Sequence, residues 1–468
     1  MRKEKELIKN TFIILLGKFC TQFLSYFLLP LYTSVLNSSQ YGIVDLITTY
    51  ITLAVPIISL QMEMGIFREL IDSRNNNYKI NEIITSGMKS VFVQLCVSLI
   101  IYFVLNIFID IPYSYFILFT ICTTLLSNLF LQISRGLGNN IAYSIGSVIA
   151  GVSTILFNIL FLVILNFKIE GMILSTGLGN LLATIFLFFK LKLYNKINIK
   201  TYSKNINIKL LKYSLPLVPN GLIWWVINVS DRTLISWFLG TSSNGIYAVS
   251  NKLSNILIQV YNVFNLSWTE SASFHINDED KDSFFSRVFN EIINIFYSVC
   301  IIFVLFMPFI FKILINQNYI EAYMYIPLLL LGTLFNIVVS FIGCIYVAKK
   351  LTKQVARTSL YAGIINILIN VLLIKQIGIY AAAISTVLAF FIMSVYRFID
   401  VQKYVKLKLD IKNILFLTFL FILVCTIYYI NNLILNCIGC FTISIILIIY
   451  NKEYIYNLIK KVKLIFFK

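Results

Sequence analysis

One feature constrains this chain more than any motif: long apolar stretches recur from end to end, with only short polar turns between them. A helix needs about 20 such residues to cross the hydrocarbon of a bilayer. The pattern predicts an all-α, polytopic membrane protein of about fourteen transmembrane spans, at 8–36, 42–70, 82–109, 112–134, 139–165, 169–193, 209–239, 243–273, 284–315, 319–348, 352–374, 377–402, 411–430 and 433–450. Composition agrees, with 59% hydrophobic residues, 12% charged residues and a mean hydropathy of +0.86, far outside the range of water-soluble folds.

The net charge of +18 would suggest nucleic acid in a soluble chain. Here the basic residues crowd the segments between spans and the C-terminal tail, as the positive-inside rule and anionic lipid headgroups favour, so nucleic-acid binding is set aside. With the N-terminus inside, every second loop is cytoplasmic, and those loops hold Arg74, Lys79 and Arg135, a lysine run from Lys190 to Lys204, and two later runs at Lys349–Lys353 and Lys403–Lys412. The opposite loops carry chiefly Lys168 and Lys375. Both termini are therefore expected in the cytoplasm. One cytoplasmic loop, around Asp278, Glu279, Asp280 and Asp282, is acidic, and with Phe284, Phe285, Val288 and Phe289 it reads as an interfacial amphipathic helix. The first apolar run reaches about Leu36 without a small-residue cleavage site and is read as an uncleaved span. Eight cysteines lie scattered, nearly all in apolar stretches; Cys437 and Cys440 lack partner ligands, so no disulfide framework, metal or cofactor is expected.

Self-comparison divides the chain. A shift of 203 residues sets Leu36-Asn-Ser-Ser-Gln-Tyr-Gly42 on Leu239-Gly-Thr-Ser-Ser-Asn-Gly245, and a shift near 210 sets Ile169–Thr176 on Ile379–Thr386. Two anchors at nearly one offset predict two pseudo-symmetric six-helix lobes. The expected divisions are an N-terminal lobe at 1–196, a cytoplasmic linker at 197–205, a C-terminal lobe at 206–404, appended helices at 405–450 and a basic cytoplasmic tail at 451–468. Parallel repeats of this kind place a substrate path between their halves.

Ionisable and polar residues inside spans are costly and mark candidate sites. Span 1 carries Lys18 and Gln22 on one face; span 2 carries Asp45 and Glu63, a kink expected at Pro56, and Arg68 near its inner end; span 3 adds Lys89. Span 7 sets out Asn220, Trp224, Asn228 and Asp231 with Arg232 beside them, and span 8 has Lys252, Asn255, Gln259, Asn262 and Glu270. Lys18, Arg68, Lys89, Arg232 and Lys252 make a cationic cleft suited to an anionic group such as a pyrophosphate. Gln22, Asn220, Trp224, Asn228, Asn255, Gln259 and Asn262 suit sugar hydroxyls and sugar faces. Asp45, Glu63, Asp231 and Glu270 are candidates for H+ or Na+ coupling. For each a plainer role stands beside this one: the inner-third cations can snorkel to headgroups, Asp231 and Arg232 can neutralise one another, and the asparagines can hold helices together by hydrogen bonds.

The segment Asp231-Arg-Thr-Leu-Ile-Ser-Trp-Phe-Leu-Gly240, followed by Gly245-Ile-Tyr-Ala-Val-Ser-Asn-Lys252, resembles the Asp-Arg and Gly-x-Tyr-x-x-x-x-Lys pattern of Wzx-type polysaccharide flippases in the MOP exporter superfamily. Gln40-Tyr41-Gly42, Arg68 and Ile169-x-Gly171 resemble it too. The resemblance implies a monomeric, MATE-like transporter in a bacterial cytoplasmic membrane, working in surface polysaccharide (O-antigen or capsule) biosynthesis alongside glycan polymerase machinery. It would move an undecaprenyl-pyrophosphate-linked oligosaccharide to the outer leaflet by alternating access. Two relatives remain open, a multidrug or cation antiporter and a lipid II flippase. A membrane glycan polymerase is a third reading, but the expected outer loops are short and the chain has one histidine, His275, so enzymatic chemistry is not expected.

Overall fold

The computed structural model describes residues 26–349 and 351–452, and among them every regular element is helical. In chain order these are α1 (Leu29–Val35), α2 (Ser38–Ile58), α3 (Met62–Ser73), α4 (Asn77–Phe108), α5 (Ser114–Gly136), α6 (Asn140–Asn158), α7 (Ile169–Lys190), α8 (Lys204–Ser214) and α9 (Leu217–Leu239). There follow α10 (Thr241–Ser254), α11 (Ile256–His275), α12 (Lys281–Leu314), α13 (Ile326–Ala348), α14 (Thr352–Ile377), α15 (Tyr380–Val401), α16 (Ile411–Ile430) and α17 (Leu433–Tyr450). Among the described residues, eleven helices are long and apolar enough to cross a membrane. They correspond to the expected spans 2 to 6 and 9 to 14. Most of span 1 lies outside the described residues, and spans 7 and 8 are each divided in two.

These divisions follow local chemistry. Span 2 was expected to kink at Pro56, but α2 runs through that residue and the chain breaks after it, at Leu60 and Gln61, whose φ values are 48° and 56°. Pro56 offers no N–H to the preceding turn, and the buried Ser59 hydroxyl accepts the Gln61 N–H at 3.1 Å, so the exposed backbone donor is met by a side chain. In span 7 the break falls at Leu215 and Pro216, with Pro216 and Pro219 in the opening turn of α9, where a missing N–H costs nothing. In span 8 it falls at Asn255, whose amide donates to Asn251 Oδ1 at 2.5 Å.

The chain forms two compact units, Met1–Gly245 and Ile246–Lys468. In the first, α7 packs on α5 and α6, α3 packs on α5 and α4, and the short α8 lies against α3 and α4. Its core is aliphatic, from Met62, Ile66 and Leu70 through Ile83, Ile84 and Leu129 to Leu187 and Leu210. Small residues set the closest approaches: a Cβ on Gly65 would lie 2.4 Å from Ser214 Oγ, and one on Gly179 would lie 2.2 Å from Thr154 Oγ1. In the second unit the same neighbour relations recur, with α15 on α13 and α14 and α11 on α13, as expected of repeated halves. The last two helices, α16 and α17, pack on α12, where Asn451 joins Asn294 at 2.5 Å and Ser298 at 3.1 Å.

The acidic loop does not lead into an interfacial helix. Lys281 begins a continuous helix of 34 residues, and Phe285 and Phe289 are buried beneath Trp268 and Phe341, whose rings stack at 4.4 Å. Aromatic area of that size is better removed into a core than left at a membrane surface.

Arg397 of α15 is among the largest fully buried side chains and has no carboxylate partner among the described residues. Its guanidinium donates to Thr358 Oγ1 at 2.9 and 2.7 Å, to the Val339 carbonyl at 2.8 Å, to the Val355 carbonyl at 3.2 Å and to Ser359 Oγ at 3.3 Å. One cation thereby ties together α13, α14 and α15. Arg397→Lys keeps the charge but cannot reproduce the fork, and is expected to lower stability by about 2–4 kcal/mol, read by thermal unfolding of the detergent-solubilised protein.

Candidate functional site

The two outer turns paired in the sequence by the 203-residue shift meet in the first unit. Asn37 caps α2, accepting the Gln40 N–H at 2.8 Å while Gln40 Oε1 accepts the Asn37 N–H at 3.1 Å. The helix start so fixed lies on the start of α10: Ser38 and Ser242 share a hydrogen bond of 2.6 Å, and Ser39 and Thr241 one of 2.8 Å. In the repeat register Ser38 matches Thr241 and Ser39 matches Ser242, so each serine bonds the counterpart of its neighbour, as about a local two-fold axis. Glycine permits the approach. A Cβ on Gly42 would lie 1.9 Å from the Thr241 carbonyl oxygen, and one on its counterpart Gly245 would lie 1.9 Å from that of Ser38.

Below this crossing, Gly42, Asp45 and Thr49 share a face of α2. Asn244 donates to the Gly42 carbonyl at 2.9 Å and to Asp45 Oδ2 at 3.4 Å. Arg232 of α9 sets its Nε 3.1 Å from Asp45 Oδ2 and donates through a terminal nitrogen to Thr49 Oγ1 at 3.2 Å. The Nε–H is not directed at the carboxylate, so that contact is an ion pair without a hydrogen bond. Trp225 donates its indole N–H to the Thr49 carbonyl at 3.1 Å, and Tyr50 closes the side, 6.1 Å from the Trp225 ring and 3.2 Å from the Thr233 hydroxyl. The paired side chains are only 20% and 16% exposed, which keeps their attraction from being lost to solvent.

The other candidates are placed differently. Arg68 is exposed on α3 and pairs with Asp72 one turn later at 2.8 Å, and Lys89 is exposed on α4, 3.8 Å from the centre of the Tyr202 ring. Neither shares a partner with Arg232. Glu63 opens α3 and Asp231 is buried on α9. In the second unit Lys252 is half-buried on α10, Asn262 is exposed on α11, and the Gln259 carbonyl oxygen is buried without a hydrogen-bond partner. Lys18 and Gln22, and the side chains of Asn220, Trp224, Asn228 and Glu270, lie outside the described residues.

Two features escape the sequence reading. In the second unit α12, α13, α15 and α16 bound an apolar groove of about 600 Å3, lined by residues including Phe296, Leu334, Phe335, Phe398 and Phe421; a hydropathy scan cannot separate groove from core. In the first unit a smaller polar enclosure takes up Ser147, Gly151 and Thr154, and their i, i+4, i+7 spacing is a signal that could have been read.

A family profile described as polysaccharide biosynthesis protein matches residues 7–268. The chain belongs to this family. Comparison with curated proteins gives no match. Among solved structures, this family member is similar in fold to the lipid II flippase MurJ in an inward closed conformation, at 15% identity over 96% of this chain and all of that one, with a TM-score of 0.68. It is similar also to an inward-facing multidrug resistance MATE transporter of the MOP superfamily, at 11% identity over 82% of this chain and 95% of that one, with a TM-score of 0.67. A third is a MOP superfamily transporter from Pyrococcus furiosus described as having a binding pocket of reversed polarity, at 12% identity over 85% of this chain and 96% of that one, with a TM-score of 0.58. At these identities the likeness establishes the fold, that of a multi-pass membrane protein.

Two outcomes are expected from the seam. Gly42→Val and Gly245→Val each force backbone apart and should cost more than about 4 kcal/mol, seen as loss of folded protein in size-exclusion profiles. Asp45→Asn and Arg232→Gln should each lower the melting temperature, and the double variant should be less destabilised than their sum by about 1–3 kcal/mol.

Proposed function

We propose that this protein is a flippase that carries an undecaprenyl-pyrophosphate-linked oligosaccharide repeat unit from the cytoplasmic to the outer leaflet of a bacterial cytoplasmic membrane, by alternating access, for surface polysaccharide assembly. The observation that carries the reading is membership of the polysaccharide biosynthesis family by a chain whose fold is shared with a flippase of another lipid-linked saccharide. The substrate has three chemically distinct parts, and the chain offers something to each. The apolar groove of about 600 Å3 suits a length of isoprenoid tail. Arg232 suits the pyrophosphate, Lys18 and Lys252 are further cations that the sequence sets within spans, and intramembrane amides and hydroxyls suit the glycan. Arg68 and Lys89, exposed and engaged on the outside of their helices, suit lipid headgroups better than substrate.

Energy for the step would come from an ion gradient, the membrane potential or glycan consumption. Glu63, Asp231 and Glu270 are the carboxylates that would take H+ or Na+; Asp45 already holds Arg232, so an ion binding there must displace a guanidinium. The MATE-like fold supports a second reading, export of drugs or cations. Arg232→Ala and Lys18→Ala are expected to abolish surface glycan while leaving membrane abundance and drug susceptibility unchanged, measured by glycan staining, immunoblot and growth inhibition. Normal glycan export in both variants would remove the cationic reading, and drug sensitivity without glycan loss would favour the antiporter.

A further inference from the structure

The polar enclosure in the first unit has a volume of about 280 Å3 and is bounded by α1, α5, α6 and α7. Tyr32, Ser127, Asn128, Ser147, Thr154 and Asn180 supply its polar lining, and none of the described residues lining it is charged. It is separate in its residues from the Asp45–Arg232 seam.

The hydrogen-bonding capacity left over inside it is specific. Ser127 is 1% exposed and its hydroxyl has no partner, an expensive state within a membrane span unless something enters to meet it. Asn180 donates to Thr124 Oγ1 at 2.9 Å, which leaves its amide oxygen able to accept. Ser147 and Thr154 spend their protons on carbonyls of their own helix, at 3.0 and 2.8 Å, and keep oxygens as acceptors. Asn128 makes no side-chain hydrogen bond among the described residues and stands exposed near the middle of α5. An exposed amide within an apolar span finds no hydrogen-bond partner in hydrocarbon, so it is costly there unless a polar ligand or water meets it.

Donors and acceptors are therefore interleaved, and among the described residues the lining has neither a cation to hold an anion nor a carboxylate to hold a cation. That is the complement of a polyol. The space takes about nine waters at roughly 30 Å3 each, or one hexose ring with its hydroxyls, and Tyr32, Leu28 and Leu131 give that ring apolar walls.

We infer that this enclosure is a neutral-sugar subsite, seating one pyranose residue of the glycan head group. The inference rests on the flippase reading for the source of the sugar, but the binding chemistry does not. The full chain in lipid nanodiscs would be offered methyl glycosides of N-acetylglucosamine, galactose and rhamnose, with glucuronate as an anionic comparator, and binding read by saturation-transfer NMR. Wild type should bind at least one neutral glycoside more strongly than glucuronate. Ser127→Ala and Asn128→Leu should each weaken that binding about tenfold, the worth of one hydrogen bond, and Asn128→Gln should retain it. Asn128 has no described protein partner to lose, so its variants test binding rather than folding. No transfer to any neutral glycoside would mean that water alone fills the space, and unchanged binding in Asn128→Leu would place the sugar elsewhere; either overturns the inference. Glycan export measured on the same variants separates the two readings. Lost sugar binding with undiminished export removes the subsite and leaves the flippase, whereas sugar binding at these residues in a wild type that exports no glycan keeps the subsite and removes the flippase.

Discussion

Hydrocarbon offers the peptide group no hydrogen-bond partner, and the rest of this structure is arranged around that fact. At the breaks within the expected spans 2 and 7, a side chain or a proline stands ready. Ser59 takes the Gln61 N–H and Pro216 has no N–H to satisfy, while at Asn255 the backbone bonds Asn255 N–H to Asn251 O and Gln259 N–H to Asn255 O persist across the break. Irregular backbone is tolerated at membrane depth only where it is sheltered by protein or lines a wet cavity. It is spans 2, 7 and 8, which carry much of the intramembrane polarity, that break.

The same rule governs charge. Two arginines are withdrawn from solvent by different means: Arg232 pairs with Asp45, and Arg397 is surrounded by neutral oxygens. The first keeps its charge close to an exchangeable counterion and to a partly open surface, which suits a group meant to meet a ligand. The second has nearly every donor committed to three helices, which suits a fastening. Polar side chains in membrane proteins are commonly read as functional by default; here hydrogen-bond accounting distinguishes an arginine with a single carboxylate partner from one whose fork is shared among three helices.

Much of this was legible in the sequence. Apolar length marked the eleven described helices long enough to cross a membrane, and the Ser/Thr-Ser-x-x-Gly echo of residues 38–42 at 241–245 marked two turns as counterparts, though not that they would meet. Pro56 announced a disturbance but not its position, because where a helix ends is decided by which neighbour can satisfy the freed groups, and Ser59 was not separable from any other serine. The acidic loop misled because Phe285 and Phe289 look alike whether they face lipid headgroups or Trp268. Arg232 stood beside Asp231 in sequence, yet it reaches Asp45, 187 residues earlier. Partners that distant are fixed by packing, and a one-dimensional pattern carries no trace of them. Ser127, Asn128 and Asn180 were passed over for a related reason: in a chain so rich in asparagine and serine, composition hides a site that only an enclosure reveals.

The placement of Arg397 bears on what a charge costs inside a span. It lies four residues before the end of α15, near the lysines that follow at Lys403 and Lys406. On an isolated helix an arginine this close to the end can snorkel to lipid phosphates, which lowers the cost of placing its charge in a membrane. In the folded chain its donors are met instead by Thr358 and the carbonyls of Val339 and Val355, on α13 and α14. A cation that a lone helix could offer to headgroups is, in the finished bundle, the bolt that joins three helices.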